Sequence, residues 1–537
     1  MRGAAGFYLA WFVVLTWPAV LALRTHFLAD RGDGLQNVWN LWWMREALCE
    51  RHVSPLHTTL LQFPHGTTLL GHTLNPFNGL VAAPLLAVLP MPLVYNLLVV
   101  LAFVAGGVTA FLLARHVSGS RWGSLWGGFV FTFSSYHFAH AEGHLQLVSL
   151  QWLPLFLLAW LRWLEVPTVA RAVAAAGSLV LVLLCDLYYT VFALAAAGLL
   201  ATWRLARRAP AAPRAPGRAR SALVFGALAG VTVGAWGVAL VRAARRDPFL
   251  GAHDPAASAM DLLAPFVPGG HWRFAGWTRG FWAALPGNVH ESSLYLGWGL
   301  LAALAWGAAH RDRVARPGAA AWVVIAVVFA VLALGPTLHV WGRPLPVPLP
   351  YRLLAWTVPP LALAGATARF FVMTTLACGV LLALVWPALR AGPLAGRRRP
   401  AAALALLLFE TWPAPLPRTP PDVPGWVTAL AAAPGEGGLV DLVDPPAVAL
   451  YHQTVHGKPL AFGYVSRYPL STVQASAPIR AETLALFARE PPDPAAAAAL
   501  AARGFRWAVV PRQGAPLGFL DVRFADDAVV LYALGAR

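Results

Sequence analysis

Two aspartates stand early in this 537-residue chain, in the segment Asp30-Arg31-Gly32-Asp33-Gly34. The segment follows an apolar run and precedes a stretch rich in tryptophan. A carboxylate beside a cavity can act as a general base and take the proton of a hydroxyl group. The alternative is structural, because an aspartate can also cap the helix that follows it. At the level of residue type, both roles are open for Asp33.

A second polar segment reads His140-Ala141-Glu142-Gly143-His144. Its imidazole and carboxylate groups could bind a divalent cation, with Mg²⁺ or Mn²⁺ as candidates, or polarise a phosphate. A hydrated polar turn between two helices is the alternative. We therefore take His140, Glu142 and His144 as candidate metal ligands.

Two further acids interrupt otherwise apolar sequence. His290-Glu291 leads into an apolar run, where Glu291 either faces the same cavity as Asp33 or is an early-turn acid favoured by the helix dipole. Asp186 lies in Asp186-Leu187-Tyr188-Tyr189. At membrane depth such a group is costly and usually functional, whereas in a tight turn outside the bilayer it is merely solvated.

The arginines near residue 360 are candidates for anion binding. Arginine presents a planar fork of donors that suits phosphate. Arg369 stands directly before Phe370-Phe371, at an expected lipid boundary, and Arg352 follows Tyr351 in a proline-rich segment. Arg369, Arg352, Tyr351, Glu291 and His290 are the predicted substrate- and phosphate-binding residues. The alternative for the arginines is snorkelling of a long cationic side chain to the membrane interface.

The composition decides which elements must position these groups. The chain is 58% hydrophobic and only 12% charged, whereas soluble domains carry about 25% charged residues. Apolar runs near the 20 residues that cross a bilayer predict an all-α polytopic membrane protein with about eleven transmembrane helices. The predicted helices cover residues 6–23, 79–113, 123–138, 145–161, 172–185, 187–203, 221–240, 293–309, 319–335, 370–389 and 400–411. The stretch 79–113 holds Pro84, Pro90 and Pro92, so a short re-entrant or interfacial piece followed by a span is the alternative to one long helix.

The formal charge of +17 is explained by topology. Arginine concentrates in alternate connections, chiefly at residues 204–220, 311–316 and 390–399. This positive-inside pattern places the N-terminus in the cytoplasm and excludes a nucleic-acid partner as the reason for the basic composition. Lys458 is the only lysine, which is typical of a GC-rich bacterial genome, so we expect a multi-pass protein of the bacterial cytoplasmic membrane.

This topology predicts two domains. Residues 1–411 form the transmembrane domain, and an amphipathic helix at about 35–49 lies along the outer membrane surface with its Trp face in the interface. Prolines after the last span mark a linker, and residues 412–537 are predicted to form a small extracytoplasmic α/β domain. Its strand candidates are Gly438–Val443, Trp507–Val510, Leu520–Phe524 and Val529–Tyr532, with a helix at Pro494–Arg503.

The chain resembles the GT-C superfamily of integral-membrane glycosyltransferases, and more narrowly the YfhO-like and related bacterial GT-C-type membrane proteins. The resemblance covers most of the chain. The segments that carry it are Gly32–Asn37 with Trp39 and Trp42-Trp43, Phe133–His140 through Gln151-Trp152, Glu291–Trp298, Leu334–Pro336, Pro348–Tyr351, Arg369-Phe370, Tyr451–Gln453 and His456–Leu460.

The resemblance implies an inverting glycosyltransferase of the cell envelope that uses a polyprenyl-phosphate-linked sugar. It maps the catalytic carboxylate onto Asp33, with Asp30 as the alternative, and a phosphate-binding arginine onto Arg369. It implies a glycan, lipid or protein acceptor and contact with membrane lipids. The spacing Asp30-x-x-Asp33 departs from an adjacent acidic pair or an Asp-x-Asp triplet, which leaves metal dependence open.

Two other classes of function compete with this hypothesis. A transporter or lipid flippase would place its site at the bilayer midplane, usually between pseudo-symmetric halves. No such halves are evident, and the polar residues gather outside the spans. A non-catalytic membrane scaffold, with residues 412–537 as its binding module, is the second alternative.

Overall fold

Proline and serine divide the apolar sequence into more helices than a hydropathy count suggests. The structure is a computed structural model that describes residues 2–207, 217–251, 253–310, 318–357, 365–391, 395–512 and 517–534. Of the predicted basic connections, 311–316 lies wholly outside these residues, and 204–220 and 390–399 lie partly outside them. The described part of the chain is mostly helical.

Five described helical segments are long and apolar enough to cross a membrane, so this is a multi-pass membrane protein. They are Met91–Ser118, Leu145–Glu165, Leu187–Ala206, Arg218–Arg246 and Thr367–Leu389. Four shorter apolar helices are Arg2–Thr16, Val169–Leu183, Trp298–Ala309 and Ala319–Ala333. The count of about eleven spans therefore stays a prediction.

Two predicted helices are each broken into two. The stretch 79–113 becomes Pro76–Leu85 and Met91–Ser118. Pro90 directly precedes the second helix and Pro92 lies in its first turn, where the missing N–H of proline leaves no helical bond unmade. The stretch 123–138 becomes Arg121–Thr132 and Ser135–Ala141. Here the Ser134 hydroxyl accepts from the His137 N–H at 3.3 Å and starts the second helix. This break brings His140 to the end of a short helix.

The first of two compact units, here called the helical unit, comprises Met1–Leu23, Asn96–Gly237 and Ala252–Pro417. Besides the segments named above, it contains shorter elements around the polar residues. They are the helices Leu145–Val148, Trp152–Glu165, Arg218–Ala229, Arg279–Trp282, Val289–Ser292, Tyr351–Thr357, Phe371–Leu389 and Ala395–Glu410, the 3₁₀ turns Ala19–Ala22, Ala264–Phe266, Ala275–Thr278 and Thr367–Phe370, the π turn Gly230–Gly234, and an antiparallel hairpin of Thr337–Val340 with Arg343–Pro348. The helix Ala235–Arg246 begins in this unit and continues past Gly237, where this stretch of the unit ends.

Glycines let the helices of this unit approach closely. Gly127 of helix Arg121–Thr132 and Gly379 of helix Phe371–Leu389 face each other so closely that a Cβ on either would collide with the carbonyl oxygen of the other. Small residues at such crossings are the usual means of packing membrane helices.

The second unit, here called the mixed unit, combines Arg24–Tyr95, Val238–Gly251 and Arg418–Arg537. It contains a four-stranded sheet in the order Gly438–Asp441, Phe505–Pro511, Val529–Ala533, Asp521–Ala525, in which the first pair is parallel and the other two pairs are antiparallel. Two-stranded ribbons pair His57–Thr58 with Thr67–Thr68 and Phe249–Leu250 with Tyr468–Pro469. Its helices are Asp33–Arg45, Pro76–Leu85, Gly425–Ala432, Pro446–His456, Leu470–Phe487 and Pro494–Ala502, with a π turn at Glu46–Glu50.

The helix predicted at 35–49 differs from the expected interfacial helix. It begins at Asp33 and ends at Arg45. Trp39 and Trp43 stack with ring centroids 5.9 Å apart, and both are buried in a core that includes Trp426 and Leu450. The Trp39 indole N–H donates to the Gln453 side chain at 2.7 Å. The Trp face therefore covers protein and not lipid, because residues 418–537 fold against it.

Candidate active site

A buried ion pair lies in the helical unit between Glu291 and Arg369. Arg369 Nε donates to both carboxylate oxygens of Glu291, at 3.0 and 3.1 Å, and Nη2 donates to one of them. The side chains are 7% and 6% exposed. Removing two charges from water is costly, so a buried pair requires this complementary geometry.

Local structure fixes both partners. Glu291 lies in the short helix Val289–Ser292, where the Asn288 side chain accepts from the Glu291 N–H at 2.9 Å. Arg369 lies in the 3₁₀ turn Thr367–Phe370 that begins the next span. Its guanidinium stacks on Tyr188 at 4.8 Å from the ring centroid, a favourable cation–π contact.

The electrostatics of Glu291 are set by its neighbours. Burial alone would raise the pKa of this carboxyl, but Arg369 and then His140 outweigh it, so the pKa of Glu291 lies well below its usual range. Glu291 is therefore ionised throughout the physiological pH range, in agreement with the bidentate contact to arginine.

Asp186 also belongs to this region of the helical unit. Its Oδ1 accepts from the Tyr189 N–H at 3.1 Å and caps the helix Leu187–Ala206. Burial raises the pKa of Asp186 to about 6, against the lowering effect of Arg369. Of the two readings of the sequence, the structure therefore shows a buried cap and not a solvated turn.

Histidines and glutamates form two groups of three close to the ion pair. His140, His144 and Glu291 form one group, and Glu142, His271 and His290 form the other. Within each group the possible ligand atoms lie within 4.8 Å of one another. The sequence placed Glu142 with His140 and His144, but the structure separates them because alternate residues of the segment 140–144 point to different neighbours.

Asp30 and Asp33 lie in the mixed unit and have different roles. Asp30 Oδ1 accepts from the N–H groups of Gly32 and Gly34, at 2.9 Å each. Asp30 therefore accepts from one first-turn donor of the helix, and the N-cap residue is Gly32 and not Asp33. Asp33 is half-buried, and its carboxylate accepts a hydrogen bond from Tyr464.

A neutral histidine lies near Asp33. Burial lowers the pKa of His72 to about 3, although Asp33 acts in the opposite direction. The ring is held by Gln36 and Asn40, each 2.9 Å from Nε2, and its Nδ1 accepts from the Ser466 N–H at 3.1 Å. The carboxylate of Asp33 therefore lies beside two polar side chains, His72 and Tyr464.

The remaining predicted residues are divided between these regions. Tyr351 is buried, with its ring centroid 6.2 Å from that of Phe370, while Arg352 is exposed. His271 is the ligand-type residue that the sequence analysis did not select. It stands alone in Gly269-Gly270-His271-Trp272, so only tertiary structure brings it to Glu142.

A cavity of about 330 Å³ is lined by chain neighbours of two residues in the second group of three. Gly270 and Val289, which line it, are the chain neighbours of His271 and His290, and Arg279 and Trp282 line it as well. An arginine and an aromatic ring beside an open cavity suit an anionic or ring-shaped ligand.

Comparison with known proteins gives the family and the fold. A family model described as a domain of unknown function, DUF6311, matches residues 5–416. The chain belongs to this family. A search of curated proteins gives no match.

Among solved structures, the DUF6311 chain is similar to the arabinofuranosyltransferase AftD from Mycobacteria, with a TM-score of 0.62 and 16% identity over 100% of this chain and 42% of AftD. The chain thus spans less than half the length of that neighbour. A weaker likeness is to the oligosaccharyltransferase AglB from Archaeoglobus fulgidus, with a TM-score of 0.46 and 14% identity over 93% of this chain and 69% of AglB. Another is to ArnT from Cupriavidus metallidurans, with a TM-score of 0.42 and 13% identity over 98% of each chain. The predicted GT-C fold is confirmed by the likeness to AftD.

Proposed function

We propose that this DUF6311 protein is a GT-C-type glycosyltransferase that moves a sugar from a polyprenyl-phosphate donor to an acceptor at the outer face of the bacterial cytoplasmic membrane. The observation that carries the proposal is the likeness to AftD over the full length of the chain. A fold hosts many functions, so the proposal also needs residues suited to the chemistry. The chain supplies a base candidate in Asp33 and an anion-binding candidate in Arg369.

Asp33 is the proposed general base. Its neighbour Asp30 is engaged by two backbone N–H groups, whereas Asp33 is half-buried and lies beside hydrogen-bonding side chains. In the proposed step the acceptor oxygen forms a bond to the anomeric carbon and its proton passes to Asp33. The bond from that carbon to the phosphate oxygen breaks, and the electron pair leaves with the polyprenyl phosphate. Because the acceptor attacks from the opposite side, the configuration of the anomeric carbon is inverted.

Arg369 is the proposed phosphate-binding residue. Its bonds to Glu291 use Nε and Nη2, so Nη1 is the atom that would contact a phosphate oxygen. A preorganised positive charge stabilises a leaving phosphate most strongly where water is scarce. Glu291 then acts as a positioning residue that holds the guanidinium in one orientation.

The test is transfer by the purified full chain in nanodiscs. The donors are polyprenyl-phosphate arabinofuranose, mannose and glucose, each with a radiolabelled sugar, and the readout is release of polyprenyl phosphate with transfer of label to envelope glycan. We expect Asp33→Asn to lower the rate at least about 100-fold, as loss of a general base does. The matched control is Asp526→Asn, which alters an exposed turn carboxylate.

Two results would contradict the proposal. Full activity of the Asp33→Asn variant would show that Asp33 is not the general base. If the wild-type chain turned over none of the polyprenyl-phosphate sugars while remaining folded, the assignment as this kind of transferase would fail.

A further inference from the structure

Glu142, His271 and His290 have a spacing that hydrogen bonding does not explain. Glu142 Oε2 lies 3.4 Å from His271 Nε2, and His290 adds a third possible ligand atom within 4.8 Å of the others. Charge-assisted hydrogen bonds between such atoms are about 2.7–2.9 Å long. Two ligands of a tetrahedral ion with bonds of about 2.0–2.1 Å stand about 3.3 Å apart. The observed spacing is closer to that of metal ligands than to that of an ion pair.

The hydrogen bonds of His271 determine which of its nitrogens carries the proton. The Ser293 hydroxyl donates to the Val289 carbonyl at 2.8 Å, so its oxygen accepts from His271 Nδ1, also at 2.8 Å. As a metal ligand the ring would present the lone pair of Nε2 toward Glu142. A cation bound between these two atoms, which lie 3.4 Å apart, would contact both.

His290 shows a similar arrangement. Its Nδ1 donates to the Ala139 carbonyl at 3.1 Å, which leaves Nε2 as the ring atom that can accept. Histidine ligands of metals almost always donate their other N–H to such a partner, which fixes the tautomer and the ring orientation. The rings of His271 and His290 lie 4.9 Å apart between centroids.

We propose that Glu142, His271 and His290 bind a transition-metal ion of the zinc type. Two imidazoles and one carboxylate form a common three-ligand zinc set, whereas Mg²⁺ prefers oxygen ligands alone. The side chains are 19%, 9% and 29% exposed, so a fourth position is open to water or to an anionic ligand. The inference does not depend on the proposed transferase activity.

The neighbouring group of His140, His144 and Glu291 is a weaker candidate. The charge of Glu291 is already balanced by the bidentate contact with Arg369. A second cation at that carboxylate would meet the positive guanidinium at short range. The proposed site therefore differs from the sequence prediction, which combined Glu142 with His140 and His144.

The test measures metal bound to the full chain, purified in detergent, stripped with a chelator and equilibrated with micromolar Zn²⁺. We expect about one zinc ion per wild-type chain and loss of it in His271→Ala and Glu142→Gln. His65→Ala, at an exposed histidine, is the control and keeps the ion. Substitution with Co²⁺ adds the visible absorption of a tetrahedral site, which the two ligand variants lose.

The second variant is Ser293→Ala, which retains all three ligands and removes the partner of His271 Nδ1. We expect its zinc affinity to fall about 10–100-fold in competition with a chelator. Metal-free samples of all variants should unfold at the wild-type temperature, which separates loss of the ion from loss of the fold. Absence of zinc from the wild type would overturn the proposal, as would zinc lost in His140→Ala but retained in His271→Ala.

Discussion

Buried charge is expensive, and the pair Glu291–Arg369 shows how much depends on its geometry. We expect Glu291→Gln to lower the free energy of unfolding by about 3–5 kcal/mol, because it leaves a buried guanidinium without its counter-charge. The pair Glu482–Arg503 provides a matched control, since it has the same bidentate contact but an arginine that is 41% exposed.

Glu482→Gln should therefore cost less than about 1 kcal/mol. The measurement is denaturant or thermal unfolding of both variants in the same detergent. Equal effects of the two substitutions would show that burial does not govern the strength of the inner pair.

The raised pKa of Asp186 predicts that the free energy of unfolding depends on pH. Its pKa rises from an ordinary value of 3.8 to about 6 in the folded protein, so between these values the folded state holds a proton that the unfolded state has lost. Stability from this group is thus present below pH 3.8 and falls as the pH rises toward 6. Asp186→Asn keeps the oxygen that caps the helix but removes this dependence.

The measurement compares unfolding of Asp186→Asn and the wild type at pH 4 and pH 7. The variant should gain stability relative to the wild type at the higher pH. A difference that stays constant with pH would mean that Asp186 is ionised in the folded protein as it is in the unfolded chain.

At the scale of helices, the contact between Gly127 and Gly379 leaves no room for a side chain. We expect Gly127→Leu to separate helices Arg121–Thr132 and Phe371–Leu389 and to cost at least about 1–3 kcal/mol. Gly177→Leu is the control, because a Cβ at Gly177 meets no atom within 4 Å. Thermal unfolding in detergent measures both, and an unchanged transition in Gly127→Leu would contradict the close packing.

Helices and strands were easier to predict from the sequence than the residues that pack against them. Strands occur at all four positions where short apolar runs predicted them, and the predicted helix Pro494–Arg503 ends one residue earlier. Local patterns of this kind depend on residues close in the chain. The burial of Trp39 could not be predicted in this way, since its cover comes from Gln453 and Trp426.

In the candidate active site, too, contacts between residues far apart in the chain could not be predicted from the sequence. Arg369 and Glu291 were each selected by residue type, but their pairing depends on two elements far apart in the chain. His271 was missed because no other metal-ligand type of residue stands beside it in the sequence. Tertiary structure alone gives such a residue its neighbours.

For the whole molecule, the predicted orientation can be tested with the natural cysteines. Cys49 is exposed, while Cys185 and Cys378 are buried. If the N-terminus is cytoplasmic and residues 24–78 lie outside, a membrane-impermeant maleimide added to intact spheroplasts should label Cys49 alone. Cys49→Ser should remove the label, and labelling only after permeabilisation would reverse the orientation.

The core shared by Trp39, Trp43 and Trp426 has a consequence for biogenesis. The first two tryptophans are synthesised long before the strands that complete their unit, Phe505–Pro511 and Val529–Ala533. Until those strands follow, the segment that carries Trp39 and Trp43 has uncovered aromatic surface. A chain truncated before Phe505 would keep that surface uncovered, which favours aggregation or proteolysis.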